Sequence, residues 1–214
     1  MKTRIVCLAN SYKEGGRCVA GIELDSKNEI VYKNFMPNWI RPVCKTEHGE
    51  IPSYVVSNVK PLDIIEFEIT EFVPNGFQSE NVLFNENSLR IIREYPKNNI
   101  YQLGINNRDS LFGNSGKALS PENAEQLDHS LMLISVGGFE IVEVKYEDCK
   151  HPKIRLKFKY NYFDKDLSIT DPLFIEKYKK DHNILENVHQ IFLVISLGIL
   201  FEGWHSKLVA TIIL

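Results

Sequence analysis

The chain has 214 residues, 43% of them hydrophobic, and a net charge of −3 at neutral pH. That length fits one large domain or two small ones, with a core large enough to stand without disulfides. The mild negative charge excludes a general cationic coat, so any polyanion site is a local patch, and the ordinary share of charged and aromatic residues excludes a disordered chain.

Residues 4–9 are a short apolar run closed by Asn10 and Ser11, and 17–24 read as a second strand after Gly15 and Gly16. Turn residues at 25–28 lead to strand character at 30–32, and 39–43 is a further short apolar run broken by Pro42. Ile65, Phe67 and Ile69 alternate with Glu66, Glu68 and Thr70, the period of a half-buried strand. Residues 78–84 read as the next strand and 88–94 as a short helix. The Asn- and Gly-rich stretch that follows is expected to connect two halves.

Ser120-Pro121 is a helix start, because serine caps free amides and proline lacks a donor that would be orphaned there. Ala124, Leu127, Leu131 and Ile134 then share one helical face, which Gly137-Gly138 ends. Asp171-Pro172 repeats the signal, with Phe174, Ile175 and Tyr178 as the apolar stripe. A hairpin of 141–147 with 153–162 lies between the two helices, and 191–197 and 207–214 are the last strands. The expected fold is mainly β with a few helices, built as small barrels, with a single mixed α+β sheet as the alternative.

The greasiest stretch, 191–201, falls well short of the ~20 apolar residues of a membrane helix, and the N-terminal run is too short for a signal peptide. A cytoplasmic protein without a membrane partner is expected. Cys7, Cys18, Cys44 and Cys149 form no CxxC pair and read as reduced thiols rather than zinc ligands.

The clearest single element is 153–163. Lys153, Arg155, Lys157 and Lys159 point to one side of a strand, and Ile154, Leu156, Phe158, Tyr160 and Tyr162 to the other. The basic side is either a cationic ribbon for phosphates or a solvated hairpin face. Matching Val142, Val144 and Tyr146 to the apolar side sets Glu143 opposite Lys157, Lys145 opposite Arg155 and Glu147 opposite Lys153, which would cancel much of the field.

Three further segments carry candidate chemistry. Lys13 and Arg17 flank Gly15-Gly16, either as a phosphate cradle or as a plain hairpin turn. Trp39 and Arg41 stand two apart, either clamping a base or phosphate or forming a core tryptophan beside a salt-bridged arginine. Trp204 to Lys207 is similar, with a core or turn role favoured. Residues 113–118 imitate a phosphate-binding loop but fail its motif, with Leu111 in place of the first glycine and Ala118 in place of the hydroxyl. No histidine pair has metal spacing. Asp164, Asp166 and His151 are the one loose metal cluster, and Asp171 reads as a helix cap. No catalytic residue, cofactor or metal is expected.

Several segments in order resemble the dual OB-containing domain family. They are Arg4 to Ser11 with Lys13 and Gly15 to Gly21, Trp39 to Val43, Pro61 to Ile65, Gln78 to Asn81, Val194 to Gly198 and Lys207 to Ala210. The resemblance implies two OB-like barrels in tandem, drawn as 1–95 and 120–214 with a connection at 96–119. It also implies a prokaryotic setting of defence against invasive elements, and sensing of nucleic acid or a nucleotide. Lys13, Arg17, Trp39 and Arg41 fall in its motif blocks. The site expected is these four with Arg155, Lys157 and Lys159. The partners expected are single-stranded nucleic acid or a nucleotide, with a protein-interaction scaffold as the alternative function.

Overall fold

In the computed structural model, which describes residues 1–145 and 152–214, the first apolar run extends into a long strand, β1 (Lys2–Lys13). It turns through Glu14 and Gly15, both at positive φ, into β2 (Gly16–Leu24). A two-residue turn of this hand matches the twist of the paired strands. A small hairpin of β3 (Tyr32–Lys33) and β4 (Met36–Pro37) precedes β5 (Trp39–Val43), then β6 (Asp63–Phe72) and β7 (Asn81–Glu94). The segment expected to be a short helix at 88–94 continues β7. Its branched Ile91 and Ile92 suit a strand, and Ile91 pairs with Ile65 on β6.

These strands close a barrel in the order β1-β2-β5-β7-β6, with β5 and β7 parallel. β1 serves both neighbours: Lys2 to Val6 pair with β6, Arg4 to Lys13 with β2, and a bulge between Cys7 and Ala9 bends the strand. Ile5, Cys7, Val19, Ile40, Ile65 and Phe67 fill the interior. Val6, Leu8, Ala20 and Ile22 are fully buried as well, so β1 and β2 are covered on both faces. A Cβ on Gly21 would lie 2.0 Å from the Val6 carbonyl oxygen. Gly21→Ala therefore forces the strands apart, and a loss of about 1–3 kcal/mol is expected in urea unfolding.

The chain divides into two units, Met1–Ile105 and Asn106–Leu214. The second opens with β8 (Ala118–Leu119) and a single helical turn, α1 (Pro121–Ala124). The expected helix to residue 136 stops there. Leu131–Val136 is strand β9 instead, apolar and buried almost throughout, a run whose periodicity alone does not separate helix from strand. The rest is β10 (Phe139–Val144), β11 (Lys153–Tyr160), β12 (Phe163–Ile169), α2 (Pro172–Lys180), β13 (Ile191–Phe201) and β14 (Trp204–Ile213).

The sheet order is β10-β11-β12-β14-β13-β9, with β8 added to β14. Its two end strands, β9 and β10, are consecutive and separated by Gly137-Gly138. Counted as one bent strand, they give the cyclic order of the first barrel, and the third and fifth strands, β12 and β14, are again parallel. The fold is two OB-like barrels in tandem rather than one mixed sheet. Asp171 caps α2 at the Phe174 amide and also accepts from the Ile212 amide, fixing the helix to β14.

Cys7 and Cys44 are buried thiols outside any disulfide and Cys18 is a partly exposed one, while Cys149 lies outside the described residues. Burial, with a hydrogen bond to Glu86, pushes the Cys44 thiol up to about 12, so it is inert. No helix among the described residues is long and apolar enough to cross a membrane.

Candidate nucleic-acid interface

β11 segregates as its sequence dictates. Ile154, Leu156, Phe158 and Tyr160 are buried, and Lys153, Lys157 and Lys159 are exposed with Arg155 half-buried. The strand ends at Tyr160. Asn161, at φ 53, and Tyr162 make the turn into β12, so Tyr162 is exposed rather than part of the apolar side.

The register with β10 differs from the expected one. Glu140 lies opposite Lys157, Val142 opposite Arg155 and Val144 opposite Lys153, while Glu143 faces Ile154. Lys145 follows the strand's end, and Glu147 lies outside the described residues. The larger apolar pairs decide the register: Phe139 meets Phe158 and Ile141 meets Leu156. The acidic partners come chiefly from the other neighbour. On β12, Asp166 lies opposite Lys157 and Asp164 opposite Lys159. Arg155 is held most firmly, donating to Asp166 Oδ1 at 2.6 Å, the Asp166 carbonyl at 2.6 Å and Ser168 Oγ at 2.8 Å. Asp166 is therefore the ion-pair partner of Arg155, and Asp164 lies across the sheet from Lys159. No group of three metal-binding side chains occurs among the described residues, and His151 lies outside them.

At the Lys153 end the face deepens into a cleft of about 730 Å³, lined by Lys117, Lys153, Arg155, Asp166, Phe201 and Trp204 among others. Phe201 and Trp204 pair directly across the β13–β14 hairpin. The turn between them is Glu202-Gly203, both at positive φ, a tight two-residue loop that sets the two aromatic side chains on one side. Both are open to solvent, Phe201 at 71% and Trp204 at 54%. Three cations thus stand beside two presented rings, against the carboxylates of Asp166 and Glu202. A second cleft of about 540 Å³ continues the face past Lys157 and Lys159, where Asp164 and Asp166 balance the charge.

Two buried lysines hold the edge of the main cleft. Lys207 on β14 donates to the Asn114 carbonyl at 3.0 Å, to Asn114 Oδ1 and to the Gly116 carbonyl at 2.8 Å, and Lys165 on β12 donates to the Ser115 carbonyl. The loop that imitates a phosphate-binding motif is in fact an ammonium receptor that positions Lys117. Burial, with the nearby Lys165 ammonium, pushes Lys207 down to about 7 from 10.5. The folded chain then binds fewer protons than the unfolded chain from about pH 7 to 10.5. Stability should rise with pH across that window, by up to about 1.4 kcal/mol per unit. Urea unfolding at a series of pH values checks this, and Lys207→Met should reduce the slope, leaving the part contributed by the Lys13 and Lys165 ammoniums, which burial also holds below their ordinary value.

The N-terminal candidates lie in the other unit. Lys13 is half-buried at the end of β1. Burial holds its ammonium below the ordinary value, and the Arg41 guanidinium adds to this while Cys18 and Glu50 oppose it. Arg17 rests on the Tyr12 ring at 4.7 Å, and its backbone pairs with Ile51. Lys13-Glu14-Gly15-Gly16 is a plain hairpin turn. Trp39 is half-buried on β5. Arg41 is 2% exposed and ion-paired with Glu80 at 2.9 Å, the core arrangement of the two considered. Sequence reasoning missed Lys117, Phe201 and Trp204 as neighbours of the basic strand. The signal for the last two was an aromatic residue on each side of Glu-Gly, the pattern of a tight hairpin with both rings on one face.

Several solved structures resemble the chain in fold at low similarity. A murine DNA-binding protein bound with double-stranded DNA shares 8% identity, with 100% of this chain and 97% of that one covered and a TM-score of 0.38. The p204 HINb domain shares 11% identity over 96% and 95% of the two chains, with a TM-score of 0.36. The Ifi202 HINa domain in complex with 20-bp double-stranded DNA shares 14% over 99% and 91%, with a TM-score of 0.34. At these values the likeness bears on neither ligand nor mechanism. No curated protein matches the sequence. The family model of the dual OB-containing domain matches residues 3–212, and the chain belongs to that family.

Proposed function

We propose that the second barrel binds single-stranded nucleic acid in the cleft between β11 and the β13–β14 turn. The observation that carries this is the exposed Phe201–Trp204 pair beside Lys117, Lys153 and Arg155. Barrels of this kind take ligands on the face of their second and third strands and in adjoining loops. In this unit those are β11, β12 and the β13–β14 turn. The rings stack unpaired bases and the cations take the intervening phosphates. Lys157 and Lys159 flank the track but contribute less, because Asp166 and Asp164 face them, and Arg155, already donating to Asp166 and Ser168, likewise adds less than Lys117 and Lys153. Sensing of invading nucleic acid in a prokaryotic defence setting belongs to this proposal, supported by the family resemblance. A nucleotide ligand would use the same ring pair, and dependence of affinity on oligomer length separates the two. A scaffold role is the second reading, favoured by the β3–β4 hairpin of the first barrel, where Tyr32 and Phe35 are exposed.

Anisotropy of labelled DNA and RNA strands of about twelve nucleotides tests the proposal. With about two phosphate contacts, from Lys117 and Lys153, the slope of log affinity against log salt is expected near about −1.4, an affinity loss of roughly 7-fold from about 50 to about 200 mM salt. Absence of binding at the lower salt would overturn it.

A further inference from the structure

The first barrel carries an apolar projection. The β3–β4 hairpin turns through Asn34 and Phe35, both at positive φ, and Phe35 is 98% exposed at the tip with Tyr32, Lys33 and Met36 also open. A bulky residue in the left-handed region is strained, and such strain is tolerated where the tip has a use. The hairpin is also braced. Its Pro37 packs so closely under Gly104 that a Cβ there would lie 2.3 Å from the proline ring. Folding has thus produced a firm stem with a phenyl ring at its end that fills no space in its own chain.

The second barrel carries a matching depression. A cavity of about 340 Å³ lies between β10 and the residues that follow α2, with Phe139, Ile141, Leu185 and Val188 as apolar walls. Roughly 150 Å³ of apolar space accepts a benzene-sized ring. Its polar side holds His182 and His189, and beside it the partly exposed Glu143 carboxylate lies 3.5 Å from His182 Nε2.

We propose that the chain self-associates head to tail, with Phe35 of one copy seated in the Phe139–Leu185 cavity of the next. Size and charge favour a second copy as the occupant. The ring fits the cavity, and Lys33 beside Phe35 complements Glu143 beside the cavity. A contact between two different surfaces leaves an unused projection and an unused cavity at each end, so association extends beyond dimers or closes into rings. The interface is small, and its dissociation constant is expected on the order of tens of micromolar.

Sedimentation equilibrium of the full chain up to roughly 0.2 mM tests this. The expected result is a mass that climbs with concentration past the dimer. Phe35→Asp, a solvent-exposed change that removes the projection, and Leu185→Glu, which charges the cavity, should each be monomeric. Mixed together, the two variants should form a 1:1 dimer and stop there, because one intact projection meets one intact cavity. Lys33→Glu should weaken the wild-type association several-fold. A wild type that stays monomeric, a Phe35→Asp variant that associates like the wild type, or a mixture that stays monomeric would each overturn the proposal. Circular dichroism of Leu185→Glu guards against misfolding, and Val188→Glu serves as a second cavity variant.

Discussion

The Phe201→Ala, Trp204→Ala double variant is expected to lose at least about 30-fold in affinity for single-stranded nucleic acid, while its folding is unchanged. The size follows from stacking, at about 1–3 kcal/mol for each base. The specificity follows from burial. Both rings are exposed at a tight turn, so their removal takes little from the core. Lys153→Ala should act through phosphate contact instead, lowering affinity by a smaller factor and reducing the salt slope by roughly 0.7. Lys159→Ala, facing Asp164, should change little. Anisotropy titrations at two salt concentrations separate these outcomes. Equal losses at all four positions would point to general electrostatics and away from a stacking site.

Arg41→Ala is expected to destabilise the first barrel by about 3–5 kcal/mol. The guanidinium is buried on β5, and its partner Glu80 is buried as well. Taking away one member of such a pair leaves the other charge desolvated and uncompensated. The chain contains two tryptophans, Trp39 in the first barrel and Trp204 in the second. In a Trp204→Ala background the remaining fluorescence reports the first barrel alone, so urea unfolding followed by emission measures the effect directly. A ligand-binding role for Arg41 predicts the reverse pattern, with stability kept and affinity lost.

Much of the architecture was legible because strand periodicity is a short-range signal. The segregated faces of β11, the apolar run of β13, the alternation in β6 and the Asp171 cap of α2 all follow from residues within one element. Two elements were misread where local signals are ambiguous. Leu131–Val136 is buried almost throughout, so it carries no alternation, and Ile91 and Ile92 in β7 were outweighed by polar neighbours. The site was less legible because it depends on pairing. Register is fixed by which apolar side chains meet across strands, and the Phe139–Phe158 contact moved Glu143 away from Lys157. The contribution of β12 to the basic face, and the arrival of Lys117 and Trp204 beside it, come from positions far apart in the chain. For Arg41 the sequence offered two roles, and only burial against Glu80 distinguishes them.

The central claim is that the cleft of the second barrel holds unstacked bases between cations and the Phe201–Trp204 pair. Its most direct test compares one labelled strand of about twelve nucleotides with the same strand annealed to its complement, at equal salt. The wild type should prefer the single strand by at least about tenfold, and the double aromatic variant should lose that preference. Equal or tighter binding of the duplex, unchanged in the variant, would contradict the account.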